Sequence, residues 1–315
     1  MQPPKPQPVT SMRRRTLALL LGLAAIPLRA WSASKELRVI TATDPTAQRP
    51  ILQALRSRYP ALLAEADPAA WDMRKINGPV IALGPTALRR ALSTDLHAPL
   101  ISVLTSSQAY RRLLASVPRE YGSTAPVTTA IYADASPSAQ IQLIATLFER
   151  KVTVGVLLSD ATAYLEKSLR QAAQQFGLEI LIIKVDPSQD PSRALNGLSG
   201  AQVLLAVPDS TLYTPDTLRA VLESTYRRGM PVVGFSAATV AAGTLASAYP
   251  DVDDMVADLT ELIDGLAASG NETLPEPRFP RYWRVAINEN VARSLGIFIT
   301  DKVRALGVHP PGRSG

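Results

Sequence analysis

The chain has 315 residues, of which 46% are hydrophobic, 19% charged and 5% aromatic, enough apolar material for one large core or two and too much for wholesale disorder. It has no cysteine, which excludes structural disulfides and thiol catalysis and leaves no residue for a lipid-modified cleavage site. The formal charge of +6 is misleading: residues 1–33 hold Lys5, Arg13, Arg14, Arg15 and Arg29 and no acid, so their removal leaves +1, and without a basic excess a nucleic-acid partner is excluded.

The chain opens on an export signal. Arg13, Arg14 and Arg15 precede an apolar run at 16–26 (TLALLLGLAAI) that is short for a membrane span, and small residues around Ala30 to Ser34 offer cleavage. The general secretory route and a periplasmic, soluble, unlipidated product are expected. Strand-like and helix-like segments then alternate. Residues 37–41 read as a strand, and Pro50 opens a helix carrying Ile51, Leu52 and Leu55. A strand is expected near 71–76. Residues 80–83, 99–104 and 127–132 are further strands, the first two each followed by a helix. Ser136 and Pro137 start a helix, and from there a fresh series begins: strands at 152–158 and 180–185, a helix through Leu165, Leu169, Ala172 and Phe176, and a short helix around 192–198. This restart is a candidate domain boundary.

The most informative stretch is 201–249. A strand at 202–207 ends at Pro208, Asp209 and Ser210. Thr214 caps a helix whose Leu218, Val221, Leu222 and Tyr226 define an apolar face, and which Gly229 and Pro231 stop. A second strand at 231–234 ends at Phe235 and Ser236. Strand, helix, strand is a parallel, right-handed unit. Asp251 then caps a helix through Met255, Leu259, Leu262 and Leu266. Residues 274–281 (LPEPRFPR) are extended, 284–288 are a last strand, and 291–306 are helical in two pieces. The whole is an α/β chain with parallel sheets covered on both faces.

Residues 207–247 (VPDSTLYTPDTLRAVLESTYRRGMPVVGFSAATVAAGTLAS), with AIYAD at 130–134 and its following helix, and VAINENVARSLG at 285–296, resemble the substrate-binding proteins of ABC transporters with the type I periplasmic-binding-protein fold, including those for tryptophan and other aromatic amino acids. The resemblance covers about 99–306. It implies a two-lobed molecule crossed three times by the chain. The implied division is a signal peptide at 1–33, a first lobe of 34–135 plus 248–275, a second of 136–247 plus 276–308, and a flexible tail at 309–315. It also implies a monomer that captures a small-molecule ligand, amino-acid-like, between its lobes and delivers it to an ABC permease or, alternatively, reports it to a membrane receptor. No cofactor and no metal are expected.

In open α/β sheets ligands sit outside the carboxyl ends of strands. Small polar residues at those ends are the candidates: Thr43, Thr86, Thr105, Ser106 and Ser159, with Tyr132, Asp209, Ser210 and Ser236. Helix capping is the competing role for most of them. Helix N-termini favour a ligand carboxylate, and an acid such as Asp209 suits its ammonium. Asp209 is equally suited to an Asx-turn with Thr211. Tyr132, Tyr213 and Trp283 are candidates for stacking or for packing. Residues 234–238 (GFSAA) resemble the nucleophile elbow of an α/β hydrolase, with Ser236 as nucleophile and His309 after it in the chain; this is the enzymatic alternative.

Overall fold

The computed structural model describes residues 2 and 37–312, apart from 77, 118–126, 187 and 269–273. The basic and apolar stretches of the expected export signal lie outside the described residues.

The first sheet is built from residues 38–132. β1 (Arg38–Ile40) leads through a short turn into α1 (Arg49–Arg58), then β2 (Leu63–Glu65), β3 (Val80–Leu83), α2 (Gly84–Leu92), β4 (Leu100–Thr105), α3 (Ser107–Ala115) and β5 (Thr128–Tyr132). The strands are all parallel in the order β2-β1-β3-β4-β5. β3 is wholly buried, as a strand covered on both faces must be. The expectation of a strand near 71–76 is wrong. Pro68–Ala70 and Met73–Lys75 form two 3-10 turns, and the second strand of the sheet is β2. Asp67 accepts the Ala69 amide, and Met73 and Ile76, three residues apart, are both buried; that spacing matches a turn of three residues, not an alternating strand. β2 carries no β-branched residue, and its place comes from backbone pairing with β1.

The second sheet follows α4 (Pro137–Phe148). β6 (Thr153–Leu158), α5 (Glu166–Gln175), β7 (Glu179–Lys184), α6 (Pro191–Ala194), β8 (Val203–Leu205), α7 (Pro215–Arg227), β9 (Val232–Val233), α8 (Ala237–Ala241) and β10 (Ala246–Tyr249) follow in order. Then come α9 (Val252–Ala268), β11 (Arg284–Ile287), α10 (Glu289–Ser294) and α11 (Asp301–Arg304). The order is β11-β10-β9-β8-β6-β7, parallel except that β11 runs antiparallel to β10. On α7 the apolar face is narrower than expected. Leu218, Val221 and Thr225 are buried, Leu222 is partly buried, and Tyr226 is 57% exposed. The Thr225 hydroxyl is satisfied by the Val221 carbonyl at 2.8 Å, which lets a polar residue take the inward position.

Two sheets, each with helices packed on it, give the two-lobed type I periplasmic-binding-protein architecture. The chain passes between the lobes after β5, after β10 and again before β11. α9 lays Met255, Leu259, Ile263 and Leu266 into the first lobe's core beside Leu37, Val39 and Ile81. The passages are tied together. The Gln140 carboxamide on α4 bonds both backbone groups of Ala248, at 2.8 and 3.0 Å, as a neighbouring strand would. Arg278 holds Asp258 through both guanidinium nitrogens, and Arg284 holds Asp254 at 2.8 and 2.9 Å and Asp251 at 3.1 Å. The proline-rich stretch also covers the β5 edge. Arg278 exchanges backbone bonds with Ala130 and Tyr132, both at 2.9 Å. Val308 pairs with Trp283, and Pro310 is buried.

Candidate ligand-binding cleft

The carboxyl ends of both sheets face one cleft of about 370 Å³. The first lobe supplies Pro85 from the start of α2, Leu104 from β4, Ser106, Gln108 and Ala109 around the start of α3, and Ala133 and Asp134 after β5. The second supplies Pro208, Asp209, Ser210 and Tyr213 after β8, and Phe235 and Ser236 after β9. The volume lies at the lower end of the range for small-molecule sites, and the lining is mostly apolar with a few polar groups.

Local chain geometry opens this space. Gly84 has φ 84°, which an L side chain tolerates poorly, and a Cβ there would lie 3.4 Å from the Gln48 amide nitrogen. Leu104 also lies in the left-handed region, at φ 58°, where the β4–β5 register shifts between Ser102 and Thr105. Non-glycine residues are held this way at a cost of about 1–3 kcal/mol, and such strain concentrates at functional sites. At the far wall, Gly234 has no room for a side chain: a Cβ would meet the Thr239 hydroxyl at 2.1 Å. That close approach lets the Thr239 hydroxyl receive the Phe235 and Ser236 amides, both at 3.2 Å, while the Ser236 hydroxyl receives the Thr239 amide.

Asp209 is 2% exposed and takes six protein donors. The Thr211 amide (2.9 Å) and hydroxyl (2.6 Å), the Leu212 amide and the Gln108 amide reach one oxygen; the Ser159 and Thr162 hydroxyls reach the other at 2.6 and 2.7 Å. It forms the Asx-turn, and its lone pairs are filled by protein. Burial works to raise its pKa, but the hydrogen bonds from Ser159, Thr211 and Thr162 outweigh it and hold the carboxyl below its ordinary value.

The lobes are bonded across the cleft. The Gln108 carboxamide donates to Asp209 at 3.1 Å and accepts the Ser210 amide at 3.1 Å and hydroxyl at 3.2 Å. Tyr164 donates to the Ser107 hydroxyl at 2.8 Å, and the Arg111 guanidinium lies 4.3 Å from the Tyr164 ring centre. Burial pushes the Tyr164 phenol well above its ordinary pKa, so it stays a donor.

Of the residues singled out from sequence, Ser106, Asp209, Ser210 and Ser236 line this cleft, and Ser159 lies behind it on Asp209. Thr43, Thr86, Thr105 and Tyr132 do not line it. Thr43 is exposed and receives a bond from Arg90, and Thr86 is exposed in the first turn of α2. Thr105 is buried under Ser102, and Tyr132 packs edge-on between Tyr110 and Phe279. Trp283 is in the second lobe's core, whereas Tyr213 does line the cleft. Gln108, Asp134, Phe235 and Leu104 went unremarked as site residues. Gln108 gives no sequence signal, being one polar residue on a helix. Asp134 and Phe235 each lie two residues past a strand end, within the rule that selected Ser236.

The helix N-termini at the cleft are unequally available. Ser106 caps α3 through the Ala109 amide, and Asp134 takes the next free amide, Ser107, at 2.7 Å. α2 has no side-chain cap. Ser236 has extended backbone, φ −161°, and caps α8; no histidine is among its hydrogen-bond partners. Among the described residues, no group of three or more His, Asp or Glu side chains could hold a metal ion, and no helix is long and apolar enough to cross a membrane.

No protein-family model and no curated protein matches the chain. Solved structures do. A conserved domain protein from Vibrio cholerae O1 biovar El Tor is 16% identical with TM-score 0.55, over 86% of this chain and 97% of that one. An ABC domain from Streptococcus pneumoniae in complex with L-Trp is 17% identical with TM-score 0.52, over 85% and 97%. An open, ligand-free substrate-binding protein with adhesive properties from Clostridium difficile is 13% identical with TM-score 0.58, over 85% and 96%. At these identities the likeness is one of fold, and the fold is that of the two-lobed periplasmic binding proteins.

Proposed function

We propose that this chain is a periplasmic solute-binding protein that captures a small, amino-acid-like molecule between its lobes and delivers it to an ABC permease. The observation that carries this reading is the cleft itself: strand ends of both lobes line one small, largely apolar space, and both lobes are bonded across it. A ligand there touches both lobes at once, so its binding energy favours the closed arrangement over the open one. The similarity to a protein crystallised with L-Trp supports an amino-acid-like ligand, as does the uncapped start of α2, whose free amides suit a carboxylate. The basic-then-apolar N-terminus supports export, and mass spectrometry of periplasmic protein is expected to find a mature N-terminus near Ala33 to Lys35.

Thermal-shift screening of the chain from residue 34 onward, against amino acids, amines, carboxylates and sugars, tests the binding role. Specific stabilisation that grows with ligand concentration is expected. A chain that responds to no member of the panel is not a binder of this kind. Labelling of Ser236 by a fluorophosphonate would instead make it a nucleophile and the protein a hydrolase.

A further inference from the structure

We propose that Asp134, and not Asp209, is the cleft's receptor for a ligand ammonium group, and that the ligand is therefore an amine on an apolar or aromatic body. The inference rests on the solute-binding reading and assigns the chemistry of that site.

Buried carboxylates in this protein are otherwise provided for. Asp254 and Asp258, fully buried, are each held by an arginine, and Asp209 has its six donors. Asp134 is different. It is 4% exposed and lines the cleft, yet no basic side chain of the described residues lies within ion-pair distance of it. Apart from its own backbone amide, its partners come from one residue: the Ser107 amide reaches one oxygen at 2.7 Å and the Ser107 hydroxyl the other at 2.6 Å. A carboxylate offers about four acceptor positions, so Asp134 keeps capacity that Asp209 lacks. Burial accordingly pushes its pKa up, while the two Ser107 bonds and its own backbone amide oppose that. A cation entering the cleft relieves this uncompensated charge, which is the condition under which a buried ion pair forms.

The opposite lobe supplies the apolar side of the site. The Tyr213 side chain is 7% exposed and also lines the cleft, and its hydroxyl has no hydrogen-bond partner among the described residues. That hydroxyl is itself shielded from solvent, so the part of Tyr213 that lines the cleft is its ring. The Tyr213 and Phe235 ring centres are 6.2 Å apart, and with Leu104 and Pro208 they make the wall beside Asp134 apolar. An ammonium at Asp134 and an apolar body along this wall satisfy both.

The test is calorimetric titration of the chain from residue 34 with three matched sets: L-tryptophan, L-phenylalanine and L-leucine, each with its amine lacking the carboxylate and its acid lacking the amine. Glucose, ribose and inositol complete the panel. Amine-bearing members are expected to bind, and their acid analogues to bind at least about tenfold more weakly. Asp134→Asn is expected to weaken amine binding about thirtyfold or more and to leave the acids unchanged. Ser107→Ala, which keeps the charge while removing one donor, is expected to preserve the preference for amines and so separates charge from folding. Tyr213→Ala, which removes the ring, is expected to weaken binding of the preferred ligand. If acids or sugars bind as well as amines, or Asp134→Asn leaves amine affinity intact, the assignment of Asp134 falls and solute binding stands. If nothing in the panel binds, the solute-binding reading falls and takes the assignment with it.

Discussion

At the scale of single residues, the two cleft aspartates divide the work. Asp209 organises its own loop and meets Gln108 of the other lobe. Asp209→Asn keeps one acceptor oxygen but turns a set of charge-assisted bonds into neutral ones, and about 1–3 kcal/mol of stability should be lost. Denaturant unfolding measures it. Because the native pKa of Asp209 is depressed, its contribution is fully present above the unfolded value, about 3.9, and disappears as pH falls through the lower native value. The asparagine variant should therefore lose less stability than the parent on acidification below about pH 4. A flat difference between the two down to pH 2 would contradict this account. The sequence shows Asp209 at a strand end in a polar turn but not its six donors, three of which come from residues distant in sequence: Ser159, Thr162 and Gln108.

At the scale of elements, the second-lobe wall depends on Gly234. The Thr239 hydroxyl occupies the space a side chain would need, and from there it organises the start of α8. Gly234→Ala must displace Thr239 or bend β9, which should cost about 1–3 kcal/mol and weaken binding of any ligand that touches Phe235. Unchanged melting for this variant would show that Thr239 moves freely. Most elements of the second lobe are legible in the sequence because its strands are apolar runs closed by recognisable caps. Thr214, Gly229 and Ser136 each act at the helix end the sequence assigns them. The first lobe is harder to read between residues 59 and 76, since β2 has neither alternation nor β-branched residues and exists through its ladder to β1. Tyr226 shows the same limit on a helix: periodicity places it near the apolar face, but Thr225, its hydroxyl already satisfied, turns inward instead. The strained Leu104 has no sequence signature, because strain at a strand end comes from the neighbouring register shift.

At the scale of the whole molecule, the passages between lobes are held by ion pairs of unequal exposure. Asp254 is fully buried and Arg284 partly exposed. Burial works to raise the Asp254 pKa, and the Arg284 guanidinium more than offsets it, so the carboxyl stays below its ordinary value. Arg284→Met leaves that charge buried beside Asp251 without its cation. Breaking a fully buried pair costs about 3–5 kcal/mol; the partial exposure of Arg284 reduces the expectation to about 2–3 kcal/mol. The comparison with Asp254→Asn/Arg284→Met, which removes the charge as well, should recover part of the loss, as thermal unfolding of the three proteins would show.

The return of α9 to the first lobe sets an order of events for a chain made from one end. Leu37, Val39 and Ile81 find part of their cover only in Met255, Leu259, Ile263 and Leu266. Until residue 266 has emerged from a ribosome or a translocation pore, one face of the first sheet is covered by α1 alone, however completely the strands ahead of it have formed. The first lobe is therefore completed only after most of the second has been made. Contacts so distant in sequence also slow folding. A chain released after Tyr249 should accordingly bind a dye that reports exposed apolar surface, and a supplied α9 peptide should suppress the signal. Quiet dye fluorescence from the shortened chain would mean that the first lobe closes over that face without help.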